Sequence, residues 1–240
     1  MDNSVIDAPC VVLLSGGQDS ATCLYWASKR FRHVHAISFL YGQRHSVEVG
    51  VAQQIARTAG VKSHEVVTIN GLVGGSLTDP SATIEAPVEG TLPSTFLPGR
   101  NLVFLTLALS MAIRVRTHSP YVYSDDTNYL VTGVCQTDYS GYPDCRDITM
   151  KRLERAMEVG TDQHCSIVAP LMHLTKAETV LMAMDLGMEC WDALSRTVTC
   201  YEGRRPGCGK CPSCVLRQKG FAEAGFEDPA TVRRSWEPMT

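Results

Sequence analysis

The stretch Ser15-Gly16-Gly17-Gln18-Asp19-Ser20 decides how this chain begins to fold. Ahead of it, Cys10-Val11-Val12-Leu13-Leu14 is an unbroken apolar run that predicts a buried strand. Behind it, Ala21 to Ala27 predicts a helix. Strand, glycine turn and helix in immediate succession make a phosphate-binding arrangement. The glycines let the backbone approach an anion, and the helix N-terminus points N–H groups at it. Ser15 and Ser20 supply hydroxyl donors. Asp19 repels a bare phosphate, so it is assigned a magnesium ion, held directly or through water. The spacing is neither G-x-x-x-x-G-K-[ST] nor G-x-G-x-x-G. An adjacent glycine pair by itself also suits an ordinary strand-to-helix turn.

Strand and helix periods continue to alternate downstream. His33 to Leu40 predicts a second strand. Val47, Val51, Ile55 and Ala59 recur every four residues and predict a helix that Gly60 ends. His64 to Ile69 predicts a third strand. This alternation with short turns implies an α/β fold: a doubly wound parallel sheet, helices on both faces, ligands at the carboxyl ends of the strands. Residues 71–98 lack periodicity and are expected to form a long loop of the lid type. A buried helix is expected over 100–115, a polar surface excursion over 117–128 and a short strand over 129–133. There follow a second long loop over 134–147, a helix over 151–159 and an edge strand at Ile167 and Val168. Thr175-Lys176-Ala177-Glu178 is a capping box that starts a helix running to about Gly187, and a last helix is expected over 212–224.

Cys200, Cys208, Cys211 and Cys214 give C-x7-C-x2-C-x2-C. Four thiolates at such spacing close a tetrahedral site with no open position, which describes one structural zinc per chain. An iron–sulfur cluster is the alternative, but the fourth ligand and proline of the bacterial ferredoxin run are absent. With ten cysteines and no apolar leader after Met1, metal binding is expected over disulfides, in a reducing cytoplasm. The remaining cysteines read mostly as small buried hydrophobes. The longest apolar stretch, 102–115, carries Thr106, Ser110 and Arg114 and is too short to span a bilayer, so no membrane association is expected. A net charge of −3 argues against a nucleic-acid partner. The expected organisation is a nucleotide-binding α/β domain over 1–190 and a zinc-binding helical segment over 191–240. A homodimer is the expected assembly.

The S-G-G-Q-D-S string resembles the loop of the PP-loop ATP pyrophosphatases. Further motifs narrow the likeness: Y-G-Q-R-H at Tyr41 to His45, P-G-R-N at Pro98 to Asn101, and T-G-V-C-x-T-D-x-S-G-Y-P-D-C-R-D at Thr132 to Asp147. P-L-M at Pro170 to Met172, K-A-E-T at Lys176 to Thr179 and T-C-Y at Thr199 to Tyr201 continue it. Together they resemble the nitrile-forming deazaguanine synthase family of the queuosine pathway, over most of residues 10–224. The 117–128 excursion is longer than the family pattern.

The resemblance implies a carbon–nitrogen ligase that cuts ATP between its α and β phosphates. An acyl adenylate of 7-carboxy-7-deazaguanine would form, ammonia would give the amide, and a second ATP would drive the step to the nitrile. Leu14, Ser15, Gly16, Gly17, Gln18, Asp19, Ser20, Ala21, Thr22, Cys23 and Leu24 would then bind ATP with magnesium. Arg100, Arg146 or Lys176 would steady developing charge. Asp138 or Asp144 would accept from the guanine-like edge, and Tyr41 or Tyr142 would stack on the ring. Arg44, His45 and Asn101 complete the candidate set. Two other readings stand beside this one. One is a tRNA-modifying sulfurtransferase using Cys135 and Cys145. The other is a zinc module that binds nucleic acid through Arg204, Arg205, Lys210, Arg217 and Lys219.

Overall fold

The computed structural model describes residues 5–44, 47–72, 74–79, 81–85, 91–136 and 142–232. Its centre is a five-stranded parallel sheet: β1 (Ile6–Leu13), β2 (Phe31–Leu40), β3 (Ser63–Thr68), β4 (Asn128–Val131) and β5 (Cys165–Val168). The strand order is β3-β2-β1-β4-β5, and every pairing is parallel. The order reverses between β1 and β4. That is the switch point, where the connections leave a crevice above the strands' carboxyl ends.

Alternation along β1 divides the core. Cys10, Val12 and Leu14 join one apolar cluster. Into it pack α1 (Gln18–Ser28), α2 (Val47–Thr58), α5 (Lys176–Asp185), α6 (Met188–Leu194) and α7 (Pro212–Ala224). Val11, with Ile37 and Leu130, joins the other cluster, under α3 (Arg100–Thr117) and α4 (Asp147–Thr161). The doubly wound architecture is therefore as the sequence implies. A short α8 (Pro229–Val232) follows α7.

Several boundaries differ from expectation, each for a local reason. The first helix starts at Gln18, three residues early, because the last glycine of the loop serves directly as its N-cap. The helix over 100–115 is not buried all round. Leu105, Ala108, Leu109, Met111 and Ala112 face the sheet, while Thr106 and Ser110 lie exposed. The capping box at Thr175 forms: Thr175 accepts from the Glu178 N–H, and Glu178 accepts from the Thr175 N–H. Gly187 (φ +109) interrupts that helix, as expected, but the chain re-enters helix at once as α6, which the sequence did not announce.

The polar excursion runs over the amino-terminal edge of the sheet and is pinned there. Arg116 donates to the Asp125 carbonyl at 2.7 Å. Tyr123 Oη pairs with His33 Nδ1 at 2.8 Å. Ser124 donates to Asp7 at 3.0 Å, and Asp7 also holds Arg32 at 2.8 Å. No helix among the described residues is long and apolar enough to cross a membrane.

Candidate active site at the switch point

A cavity of about 370 Å³ opens above the β1–β4 crevice. Leu14, Ser15, Gly17, Gln18, Asp19 and Ser20 form one wall. Gly17, the N-cap of α1, has no side chain to accept from the helix's first N–H groups, so that positive terminus stays open to an anion. Two close approaches shape the loop. Gly16 has φ +89, and a Cβ there would lie 2.3 Å from the Glu48 carbonyl of α2. A Cβ on Gly133, just after β4, would lie 3.1 Å from the Ser20 nitrogen. The serines brace the loop from inside: Ser15 and Ser20 hydroxyls stand 3.0 Å apart, and Ser20 donates to the Gly17 carbonyl at 3.0 Å. Gln18 is 2% exposed, yet neither its amide oxygen nor its nitrogen has a partner. A buried amide left so costs about 1–3 kcal/mol, which a bound ligand would recover. Gly16, Ala21, Thr22, Cys23 and Leu24 do not line the cavity. The last four are fully buried in α1.

Asp19 meets a cation from the protein itself. Lys176, at the start of α5, places Nζ 2.9 Å from both Asp19 oxygens. The lysine passes close over α7 because residue 220 is glycine: a Cβ there would fall 2.3 Å from Lys176 Cγ.

Of the polar strings, Tyr41, Arg44, Arg100, Asn101, Tyr142 and Lys176 do converge on the cavity. Arg100 carries its guanidinium 6.0 Å over the Tyr41 ring, with Nε buried and unpartnered. Burial works against that charge, but Tyr41, Asp144 and Tyr142 around it hold the group above its ordinary range. Phe39 and Phe104 stack at 4.2 Å beside Tyr41, giving the cavity a flat apolar floor. Arg44 mainly braces the backbone. It donates to the carbonyls of Asp79, at 2.8 Å, and Ala82, clamping the 71–98 loop. Asp144 and Arg146 are not lining residues. Asp144 is buried and accepts from the Asn101 N–H at 3.4 Å, at the start of α3, where Gly99 offers no side-chain cap. Arg146 is exposed and serves as the N-cap of α4. His45 and Asp138 lie outside the described residues.

The opposite wall comes from the C-terminal segment: Val198, Thr199, Tyr201, Ser213, Leu216 and Arg217. Behind it, the sulfurs of Cys200, Cys208, Cys211 and Cys214 lie within 4.8 Å of one another, a set that can hold a metal ion. Zinc–sulfur bonds of about 2.3 Å in a tetrahedron require sulfurs about 3.8 Å apart, and Cys208 and Cys214 stand at 3.9 Å. Burial pushes the Cys208 thiol up, but the N–H groups of Lys210 and Cys211 bring it down to about 6. Such a thiol is ready to be a thiolate ligand. A Cβ on Gly207 would come within 2.5 Å of Cys214 Sγ, so the knuckle needs glycine. Arg217 locks the segment. It is 6% exposed and spends every guanidinium N–H: on both Asp228 oxygens, on Thr197, on Thr199 and on the Leu194 carbonyl.

Neither competing reading gains support here. Burial pushes the Cys145 thiol up to about 12, and Cys135 Sγ donates to the Leu174 carbonyl at 3.2 Å, so neither is poised as a nucleophile. The basic residues near the cysteines are largely engaged: Arg217 as above, Arg205 on the Ser195 carbonyl at 2.7 Å, Lys219 with Glu223 at 3.7 Å.

Sequence reasoning missed Glu48, Phe39, Phe104, Tyr201 and Arg217 as cavity residues. Only Tyr201 carried a signal, in the T-C-Y string.

The family model described as queuosine biosynthesis protein QueC matches residues 9–225. A 7-cyano-7-deazaguanine synthase of Chromobacterium violaceum is 49% identical over 237 residues, 96% of each chain. The synthase of Laribacter hongkongensis is 50% identical over 228 residues, covering 93% of this chain and 94% of its own. That of Bacillus subtilis is 45% identical over 216 residues, 89% of this chain and 93% of its own. Among solved structures, a 4-thiouridine synthetase in complex with RNA and bound ATP overlaps 95% of this chain and 54% of its own, at a TM-score of 0.45 and 18% identity.

Proposed function

The chain belongs to the queuosine biosynthesis protein QueC family, and from that premise we propose that it converts 7-carboxy-7-deazaguanine and ammonia to 7-cyano-7-deazaguanine with ATP. The observation that carries the proposal is one cavity. An open helix N-terminus, an orphaned buried amide, the cations Arg100 and Lys176 and a stacked aromatic floor converge in it.

In this reading the β- and γ-phosphates of ATP lie at the N-terminus of α1, with Gln18 on the nucleotide. The carboxylate of the base attacks the α-phosphorus and pyrophosphate leaves. Ammonia then displaces AMP to give the amide, and activation of the amide oxygen by a second ATP leads to the nitrile. The protein's part is positioning and charge stabilisation. Arg100 steadies negative charge at the carboxylate and α-phosphate. Lys176, held by Asp19 at the edge of the same cavity, would steady charge on the phosphates. The flat ring of the base lies on Phe39, Phe104 and Tyr41. Asp19 is about one-third exposed and keeps oxygen lone pairs for magnesium or its water shell, which would neutralise the leaving pyrophosphate. The four cysteines would hold a structural zinc, closing residues 191–240 over a nucleotide-binding unit of residues 1–190. The assembly in this reading is a cytoplasmic homodimer without a nucleic-acid partner.

The test is an assay with 7-carboxy-7-deazaguanine, ammonium, magnesium and ATP that follows base and nucleotide together. Nitrile with AMP and pyrophosphate is the expected result. Nitrile with ADP would keep the reaction and reject the α-phosphate cut.

A further inference from the structure

The acidic residues among the described lining of the cavity are Asp19 and Glu48. Asp19 is taken by Lys176. Glu48, in the first turn of α2, has no hydrogen-bond or ion-pair partner among the described residues. Its backbone carbonyl abuts Gly16 and the residue lines the cavity beside the nucleotide loop, where its carboxylate feels the charge of Arg100. The other charged and titratable groups facing the same space are Arg100 from α3, Tyr41 and Arg44 from the β2–α2 connection, and the Lys176–Asp19 pair. Tyr142, Cys135 and Cys145 line it after β4, and Tyr201 and Arg217 face it from the C-terminal wall, Arg217 with its donors already spent.

The substrates differ in charge. ATP and the deazaguanine carboxylate are anions, and the cavity meets them with Arg100, Lys176 and the α1 terminus. Ammonia reaches a protein at neutral pH as ammonium, a small cation that must lose a proton before its nitrogen can attack. It needs an anionic contact that is also a base, near the α-phosphate but not on it. We infer that Glu48 is the ammonium subsite: its carboxylate binds the ion and takes the proton that frees the nitrogen lone pair. This rests on the nitrile-forming reading above.

The step balances without a further reagent. One N–H bond of ammonium breaks and its proton passes to Glu48. The freed lone pair forms the C–N bond to the acyl carbon, and the bond from that carbon to the AMP oxygen breaks with its electron pair. The second proton leaves the nitrogen with the departing phosphate. Burial pushes the Glu48 carboxyl up to about 7, against the lowering pull of Arg100, and a base in that range is matched to proton transfer near neutral pH.

The test compares Glu48→Gln with wild type in three assays. Pyrophosphate exchange into ATP, with the carboxylate base and no ammonium, reads adenylate formation alone. Hydroxylamine, uncharged at neutral pH, traps the adenylate as hydroxamate without needing a base. Amide formation from ammonium needs everything. In Glu48→Gln, exchange and hydroxamate are expected within about twofold of wild type, while amide formation falls about 100-fold and the ammonium KM rises. Glu48→Asp should recover part of the loss. Amide formation unchanged in Glu48→Gln would overturn the inference. So would a parallel loss of exchange and hydroxamate in a variant of unchanged melting temperature, which would put Glu48 in carboxylate activation. Absence of both exchange and nitrile in the wild type would instead remove the nitrile-forming reading, while absence of exchange with nitrile still formed would reject the adenylate on which this inference rests.

Discussion

On one side of the cavity the chain is shaped by what it lacks. Gly16 and Gly133 carry no Cβ, so α2 and the end of β4 can close to contact with residues 15–20, and the open terminus of α1 follows from that packing. On the other side, residues 198–217 are shaped by added cross-links: four sulfurs within 4.8 Å, and one arginine bonded to four other residues. The first wall is part of the sheet's own connections and cannot relax without moving a core helix. The second is tied down by side chains far apart in sequence. It should loosen while the sheet stays folded.

Removing the metal that the four cysteines are proposed to hold separates the two most widely. Structural zinc in small domains contributes on the order of 10 kcal/mol. Chelation should therefore expose the amides of 198–224 to hydrogen exchange while those of β1, β2 and β4 stay protected. Uniform loss of protection would mean that the walls fold as one unit. Next in size is Gly16→Ala. A left-handed backbone costs a side-chain-bearing residue about 1–3 kcal/mol, and the 2.3 Å approach to Glu48 adds displacement of α2. ATP affinity measured by calorimetry should be lost, with a fall in melting temperature of about 5–10 °C. Arg217→Met should cost about 3–5 kcal/mol in urea unfolding, because Asp228 is left buried without its partner. Arg217→Lys should not restore it, since one ammonium cannot serve Asp228, Thr197, Thr199 and Leu194 together. The smallest effect belongs to a helix start outside both walls. Thr175→Ala should cost about 1 kcal/mol by removing the cap. Its partner Glu178 is held below the usual carboxylate range by the Thr175 N–H. That contribution is present above the ordinary glutamate pKa of 4.5 and is lost as pH falls through the lower folded value. Thr175→Ala keeps that N–H, so in a melting series below pH 5 both proteins should lose stability together, and the gap between them should narrow only by the share of the Thr175 hydroxyl on Glu178.

The first wall was the legible one. Its signals are local: an apolar run, two glycines, the S-G-G-Q-D-S order, and Gly60 and Thr175 punctuating helices nearby. The second wall was legible as chemistry and not as position. C-x7-C-x2-C-x2-C names a metal site, but nothing in it says that Tyr201 and Arg217 face the nucleotide loop. Arg217 reads as one more solvated charge beside the cysteines; its five donors find partners only after α6, α7 and α8 have come together. Glu48 is hidden for a related reason. An acidic residue in a helix's first turn is ordinary dipole chemistry, and only the packing of α2 beside Gly16 brings it to the cavity. Asp144 and Arg146 mislead in the opposite direction. Both stand in the most specific string of the chain, yet one serves the start of α3 and the other the start of α4.

The pinned excursion at residues 117–128 lies at the end of the sheet away from all this. Its tip residue Val122 is 90% exposed, while Arg116, Tyr123 and Ser124 fasten the turns on either side to the amino-terminal edge. It is a ready-made handle. A cysteine, affinity tag or surface linker placed at Val122 would orient immobilised molecules with their cavities facing the solution, and a fluorophore there would report tumbling of the whole particle without perturbing turnover.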